Sequence, residues 1–318
     1  MAEAEKMELM EITADEYGDV TSGKCLLFCS KDFLELNRGK VDKVRYFLGR
    51  DTRRRFAFAV GEKDGEWRAP FSAPFSTVVP LRKNTDLEHY WEFIALLNQR
   101  AKAEEIRKVS IFLPPDIYGA QQNAKLINSL IGNGYRAAYQ ELNYSLNVKN
   151  IDPNAYIGTI QHNARKNLKI ALNSGLELQK CGSRDEKIQA YQVIQANRES
   201  KGYPLRMTQE QVMETIEIVP HDIFLVNRSG LPIAAAIIFR VWEKTAQVIY
   251  WGDVPDVGQY KPINFLSYEL IKYYQKEGIE QIDIGPSTEN GIPNFGLCSF
   301  KESIGCEASG KYRYEICF

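Results

Sequence analysis

The sequence predicts an α/β (α+β) chain of two similar domains in tandem, each a mixed, largely antiparallel sheet flanked by helices. Three observations predict it. Runs with helical apolar spacing alternate along the chain with short apolar or alternating runs of strand type. The two halves share a rough order: a helix-rich opening, a hairpin or meander, a long helix and two late strands, a repeat of about 140 residues. Near the end, IEQIDIGPS (Ile279–Ser287) carries a buried-type strand into a Gly/Pro/Ser loop, and NFGLCSFKESIGC (Asn294–Cys306) follows before a closing strand. Strand ends that open into loops are where α/β folds gather ligand-facing groups.

Length and charge narrow the possibilities. The 318 residues suit two domains of ordinary size. A chain this long buries roughly three quarters of its unfolded surface, so it needs no cross-links. The net charge is −1, and 22 of the 40 basic and 21 of the 41 acidic residues lie before residue 151. Neither half has the bulk positive charge of a duplex-DNA binder. The six cysteines (Cys25, Cys29, Cys181, Cys298, Cys306 and Cys317) include no C-x-x-C pair, and His89, His162 and His221 are far apart. No metal site is expected from that set. The N-terminus is acidic and lacks the apolar core of a signal peptide. No run approaches the length of a membrane span. These points predict a cytoplasmic protein with free thiols.

Residues 1–22 read as a weakly ordered lead-in, 23–150 as the first domain and 151–318 as the second. CLLFCS is a strand candidate. Ser30 caps a helix through SKDFLELNRGKV, with Asp32 and Glu35 in favourable places. VRYFLGRD follows, and RRFAFAVGEKDGEWRAPF reads as a hairpin turning at Lys63-Asp64-Gly65. Its Arg53–Arg55 run reads as a solvated strand edge. In APFSAPFSTVVP the prolines hold the backbone extended, giving a stiff connector or the wall of a ligand cleft. DLEHYWEFIALLNQRAKAE places Leu87, Trp91, Ile94 and Leu97 at helical spacing, as core. KVSIFLPP, QNAKLINSLIGNG and YRAAYQELNYSLNV read as strand, helix and strand.

The second half opens with IGTIQHNARKNLKIALNSG. As one helix it puts Ile157, Ile160, Ala164, Leu168 and Leu172 on one face, with Gly175 as the stop. Arg165, Lys166 and Lys169 fall on the other side. LELQKCG is a strand, and two helical stretches lead to an antiparallel meander over HDIFLVNRSG, LPIAAAIIFRVW and KTAQVIYWGDV. The loop PDVGQYKP precedes a helix from Pro262 to the stop at Gly278. Strand IEQIDIG and the terminal segment close the chain.

At these residues the chain resembles the acyl-CoA N-acyltransferase (GNAT) fold in tandem, and more narrowly the FemAB-like aminoacyl and acyl transferases. HNARKNLKIALNSGLELQ resembles the basic helix and strand of that family. LPIAAAIIFRVW with KTAQVIYWGDV resembles its meander, and KPINFLSYELIKYYQKEGIEQIDIG the helix and strand after it. FGLCSFKESIGC is similar to its closing segment, where a Phe-Lys pair precedes a Gly. The likeness covers most of residues 151–318; in the first half only EWRAPFSAPFSTV suggests it. The resemblance implies an acyltransferase that moves an acyl or aminoacyl group onto an amine of an amino sugar, amino acid or cell-wall precursor. It implies a groove between two domains, and acyl-CoA or aminoacyl-tRNA as donor with no tightly bound cofactor. It departs from the family at Asp256–Pro262, which lacks the Gly-rich pyrophosphate turn of simple acetyltransferases. No long helical hairpin is inserted in the second half either. The other reading is an inactive binding or regulatory protein on the same fold.

Acyl transfer to an amine needs a neutral amine, a polarised carbonyl and a stabilised leaving group. By the resemblance, Lys301 is the first candidate for a donor phosphate or the developing oxyanion; otherwise it is a surface lysine. Asp283 is a candidate to deprotonate or orient the amine, or else caps the next turn. Tyr250 and Tyr260 are candidate proton donors. Arg165 and Lys261 are candidates for an anionic part of the substrate. Ser287, Asn294 and Phe300 lie where they can contact substrate. Cys298 with His162 or His221 would make a nucleophile and base, but no local signature supports them over a buried inert thiol.

Overall fold

The computed structural model of the chain describes residues 6–318. It divides into two compact units, one holding the chain up to Glu141 together with Gly310–Phe318, the other Leu142–Ser309. The last nine residues thus leave the second domain expected for them. Residues 313–317 pair antiparallel with 108–112, a strand of the first unit. Residues 8–21 are likewise no loose lead-in, as the pairing below shows.

The first unit contains β1 (Glu8–Ile12), α1 (Ala14–Thr21), α2 (Lys31–Leu36), β2 (Lys43–Arg50), β3 (Arg54–Lys63), β4 (Glu66–Ala69), β5 (Val79–Pro80), α3 (Leu87–Ala103), β6 (Lys108–Phe112) and α4 (Ala120–Gly132). Its sheet runs β1, β2, β3, β4, β6 and the closing strand, with only β4 and β6 parallel. β1 is held by a five-residue register with β2, and α1 starts with a capping box between Thr13 and Glu16. CLLFCS is not a strand: Leu27–Cys29 is a single 3-10 turn, and Ser30 caps α2 through its bond from the Phe33 N–H. The hairpin turns at Asp64 (φ 53°) and Gly65 (φ 68°), the paired left-handed residues that a tight turn needs.

α3 is where the sequence expected it, but its core stripe is rotated. Leu87 and Trp91 are 43% and 44% exposed, while Tyr90, Phe93, Ile94, Leu97 and Ala101 are buried against Phe56 and Phe58. The spacing 90, 93, 94, 97, 101 is the true apolar face, and Trp91 covers Gly132 of α4 instead. In the Ala-Pro-Phe segment, Phe75 is buried against Phe28 and Tyr118, and Phe71 lies on Gly61.

Arg45 of β2 is buried among Glu11, Glu62 and Glu104, with its guanidinium over Trp67. The bond from Arg45 holds the Glu11 carboxyl down at about 2, with Lys43 adding to the effect. A carboxyl depressed by folding stabilises above its unfolded value near 4.5, and that contribution disappears as pH falls towards 2. Glu11→Gln should therefore flatten acid destabilisation over that window. After solvent screening the difference is on the order of 1–2 kcal/mol, readable as melting temperature at pH 6 and pH 3. Equal pH dependence in both proteins would refute the assignment.

The second unit contains the end of β7 (Arg136–Leu146), α5 (Tyr156–Thr159), α6 (His162–Leu172), β8 (Leu176–Lys180), α7 (Arg184–Lys201), α8 (Gln209–Ile218), β9 (His221–Arg228), β10 (Leu231–Trp242), β11 (Thr245–Asp253), α9 (Pro262–Lys276), β12 (Gln281–Pro286), β13 (Thr288–Glu289), β14 (Ile292–Pro293), α10 (Phe295–Ser303) and the start of β15 (Glu307–Cys317). Its strand order is β7, β12, β11, β10, β9, β8, with only β11 and β12 parallel. The helix expected from Ile157 breaks at Ile160-Gln161 into α5 and α6. Ala164 and Leu168 face the core, but Leu172 is 40% exposed. Leu266, Leu270 and Tyr274 of α9 pack on Phe224, Ile238 and Ile282. Among the described residues, no helix is long and apolar enough to cross a membrane.

Candidate active site at a parting of two strands

β11 and β12 pair at only three positions: Thr245 with Gln281, Ala246 with Ile282 and Gln247 with Asp283. Beyond them β11 stays with β10 as far as Asp253, while β12 stays with β7 as far as Pro286. The two strands part, and the edge of β11 after Gln247 has no strand beside it among the described residues. A bulge marks each side of the parting. On β11, Tyr250 pairs with Ile237 and Val248 with Ile238, so Ile249 is the extra residue. On β12, Asp283 pairs with Ser145 and Gly285 with Tyr144, so Ile284 is the extra residue, and Gly285 takes φ 74°. Bulges of this kind re-aim side chains and end pairing.

Asp283 and Lys301 build the β12 side. Asp283 is fully buried; its Oδ1 accepts from Asn143 Nδ2 and from the Gly285 N–H, both at 2.8 Å, and its Oδ2 from Gln247 Nε2 at 2.9 Å. The carboxylate thus caps its own bulge. Lys301 is not on the surface. It is 2% exposed, and its Nζ donates to the carbonyls of Ile284 (3.1 Å), Gly285 (2.8 Å) and Pro286 (3.1 Å). All three ammonium hydrogens are used on the strand end that has left β11. Burial pushes this lysine down to about 8, with Cys306 and Asp283 pulling it back up. An ammonium saturated by carbonyls has no hydrogen left for a phosphate or an oxyanion.

Tyr250 is half-buried on β11. Burial raises its pKa, while the main-chain N–H groups of Met207 and Arg206 and the charge of Arg198 act the other way. A protonated phenol has an O–H hydrogen to donate. Trp251 packs edge-on against Phe300 of α10, with ring centroids 6.2 Å apart. Ser287 is buried with no partner for its Oγ, and its carbonyl accepts from the Asn294 N–H at 2.9 Å. The Asn294 side chain caps α10 and donates to the Tyr203 hydroxyl at 3.4 Å.

Ser287 and Asn294 are joined by a backbone bond and Asn294 reaches Tyr203, while Tyr250 faces Arg198 of α7 and its neighbour Trp251 faces Phe300 on the other side of β11. Three expected residues stand apart. Arg165 donates to the carbonyls of Gly158 and Ile160, closing α5. The Tyr260 ring is covered by Arg228, with its Cζ at 3.9 Å, and Lys261 is the left-handed cap of α9 (φ 54°). Pro262 lacks an N–H, and those of Asn264 and Phe265 both go to the Lys261 carbonyl, which leaves Ile263 in that first turn. Cys298 points its thiol at the Ser287 carbonyl (3.7 Å), while His221 faces Lys187 and Val219, so neither is set up as a nucleophile and base.

Sequence reasoning missed Arg198. It sits on α7 four residues after Ile194 and seven after Tyr191, on the buried stripe, with its Cζ 5.9 Å from the Tyr250 ring. A charged residue on an apolar stripe was the available signal.

No family model matches the sequence, and no curated protein matches it. Solved structures do share the fold. FemX superposes with a TM-score of 0.70 at 14% identity, covering 98% of this chain and 97% of that one. The C-terminal domain of a putative lysylphosphatidylglycerol synthetase from Agrobacterium fabrum gives 0.56 at 13% identity, covering 95% and 87%. A tandem GNAT protein from the clavulanic acid biosynthesis pathway gives 0.54 at 10% identity, covering 98% of each. The chain has the tandem GNAT-type fold that its sequence resembles.

Proposed function

We propose that this chain is an N-acyltransferase that moves an acyl or aminoacyl group onto an amine at the open edge of β11, with Tyr250 as proton donor. The observation that carries this reading is Tyr250 itself. It stands next to the β11 bulge where the sheet parts, with Arg198 beside its ring, and burial favours its protonated form.

The reaction follows from those groups. An extended acyl chain lies along the unpaired strand edge, as a peptide does when it adds to a sheet. The amine nitrogen attacks the acyl carbon, forming a C–N bond. The bond from that carbon to the ester oxygen or thioester sulfur breaks. Tyr250 gives its hydrogen to the departing atom and regains the one released by the nitrogen. Arg198 of α7 stands beside the Tyr250 ring, and Ser287 and Asn294 after β12 offer polar contacts. Lys301 and Asp283 act as positioning residues: Asp283 ties the last paired position of β12 to Gln247 of β11, and Lys301 holds the strand end beyond it.

For the donor, the opening of α9 favours an aminoacyl ester over coenzyme A. Pyrophosphate cradles use several free N–H groups at a helix start, and this one has little to offer. A fold neighbour called a putative lysylphosphatidylglycerol synthetase is consistent with aminoacyl chemistry. The acceptor is an amine on a small molecule or cell-wall precursor. Calorimetry with acetyl-coenzyme A should show no saturable heat up to about 1 mM, whereas a stable 3′-aminoacylamino-adenosine, which mimics the end of an aminoacyl-tRNA, should bind. Saturable acetyl-coenzyme A binding with none of the adenosine analogue would replace the ester by a thioester. If neither binds, the inactive reading of the fold takes precedence.

A further inference from the structure

Arg198 is a cation without a counter-ion among the described residues. Its Nε is buried and has no hydrogen-bond partner among the described residues, and its Cζ lies 5.9 Å from the Tyr250 ring. Burial pushes the guanidinium down from its ordinary value. Arg165 and Arg313 also have an unpartnered Nε, but Arg165 donates through Nη2 to two carbonyls and Arg313 lies 3.9 Å from Glu315. Arg45 meets three glutamates, and Arg240 meets Asp222 and Glu277. The cations near Arg198 are also answered: Lys201 by Asp253 and Arg206 by Glu289, each at 3.3 Å.

Its position is fixed. The preceding residue, Asn197, donates to the Asp253 carbonyl at 2.7 Å and to its carboxylate at 3.0 Å, and presses on Gly252, where a Cβ would come within 2.6 Å. The last turn of α7 is thereby locked to the end of β11. A desolvated, unpaired charge is costly, and folds keep one where a ligand supplies the partner. Guanidinium is a planar fork that matches carboxylate or phosphate oxygens two at a time.

We propose that Arg198 is the anion-binding residue of this site, gripping a carboxylate or phosphate group of the substrate whose reacting carbon lies at Tyr250. The inference deepens the transferase reading and rests on it for the purpose of the ligand, but binding can be measured without turnover. It narrows the substrate to molecules with a negative group one arginine's reach from the acyl centre.

The test is titration of the full chain with succinate and, separately, with inorganic pyrophosphate, for the wild type, Arg198→Met and Arg198→Lys. One probe should bind saturably, and which one does identifies a carboxylate or a phosphate source. Arg198→Met should weaken it at least tenfold, about what one charge-assisted fork contributes, with Arg198→Lys in between. Melting gives a second readout. Arg198→Met removes a half-buried unpaired charge, so its melting temperature should equal or exceed that of the wild type; a structural arginine would lower it. The inference is overturned if neither probe binds at about 10 mM, if Arg198→Met binds as well as wild type, or if that variant melts earlier with affinity unchanged. Anion binding that needs Arg198 in a chain that transfers nothing would keep this inference and remove the transferase reading.

Discussion

Tyr250→Phe is expected to lower kcat by about 10²- to 10³-fold, the usual loss for one well-placed donor to a reacting oxygen. KM should change little, because the hydroxyl acts where charge develops rather than in ground-state binding. The variant should fold normally. The phenol is only half-buried and no acceptor in the protein depends on its hydrogen, while the ring keeps its place beside the Ile237 pairing. The pH profile adds a sign. Burial raises the Tyr250 pKa, so the donating form should persist above the range of a free tyrosine, and activity should not fall for want of this proton at neutral pH. Steady-state transfer kinetics check both. A variant within about threefold of wild-type kcat would remove Tyr250 from the chemistry.

Lys301→Met is expected to damage stability and activity together. It leaves the carbonyls of Ile284, Gly285 and Pro286 without their shared donor inside the protein. An unsatisfied buried group costs about 1–3 kcal/mol, and a bond to a charged donor contributes about 1.5–3 kcal/mol. Against this stands relief of the ammonium's own burial, which is what pushes it down to about 8. The balance is a net loss of roughly 2–4 kcal/mol, visible as a lower urea midpoint by tryptophan fluorescence. A lysine that only touched substrate would give the opposite pattern: full stability with lost turnover. That pattern would restore the direct contact expected from sequence.

Much of the fold was legible in the sequence because its elements announce themselves locally. The meander from His221 to Asp253, the Pro262 helix and the Asp64-Gly65 turn follow from periodicity and from residues suited to their backbone angles. What failed depended on distant partners. Residues 8–12 read as a loose lead-in because their order comes from pairing with 46–50, and the tail's place comes from residues 108–112. The α3 stripe slipped because Leu87 and Trp91 fit helical spacing nearly as well as Tyr90 and Phe93 do; only packing against Phe56 decides between them.

The site was half legible. The Asp283–Lys301 stretch could be singled out by its order along the chain, but its burial could not be read there. Lys301 looks like a surface residue until β12 is seen to leave β11 and present three carbonyls that need a donor. The parting itself has no sequence signature, since it arises from one extra residue on each strand. Tyr250 could be named but not ranked among 17 tyrosines. Arg198 was hidden in a charged helix end, where its unpartnered Nε together with its place beside the Tyr250 ring draws notice.

Backbone hydrogen exchange with the stable 3′-aminoacylamino-adenosine tests the central claim most directly. If the donor lies along the unpaired edge, amides of residues 248–253 should exchange more slowly when it is bound, and those of 255–261 before α9 should not change. Slowed exchange confined to 255–261, with 248–253 unaffected, would place the donor at the helix start and contradict the account.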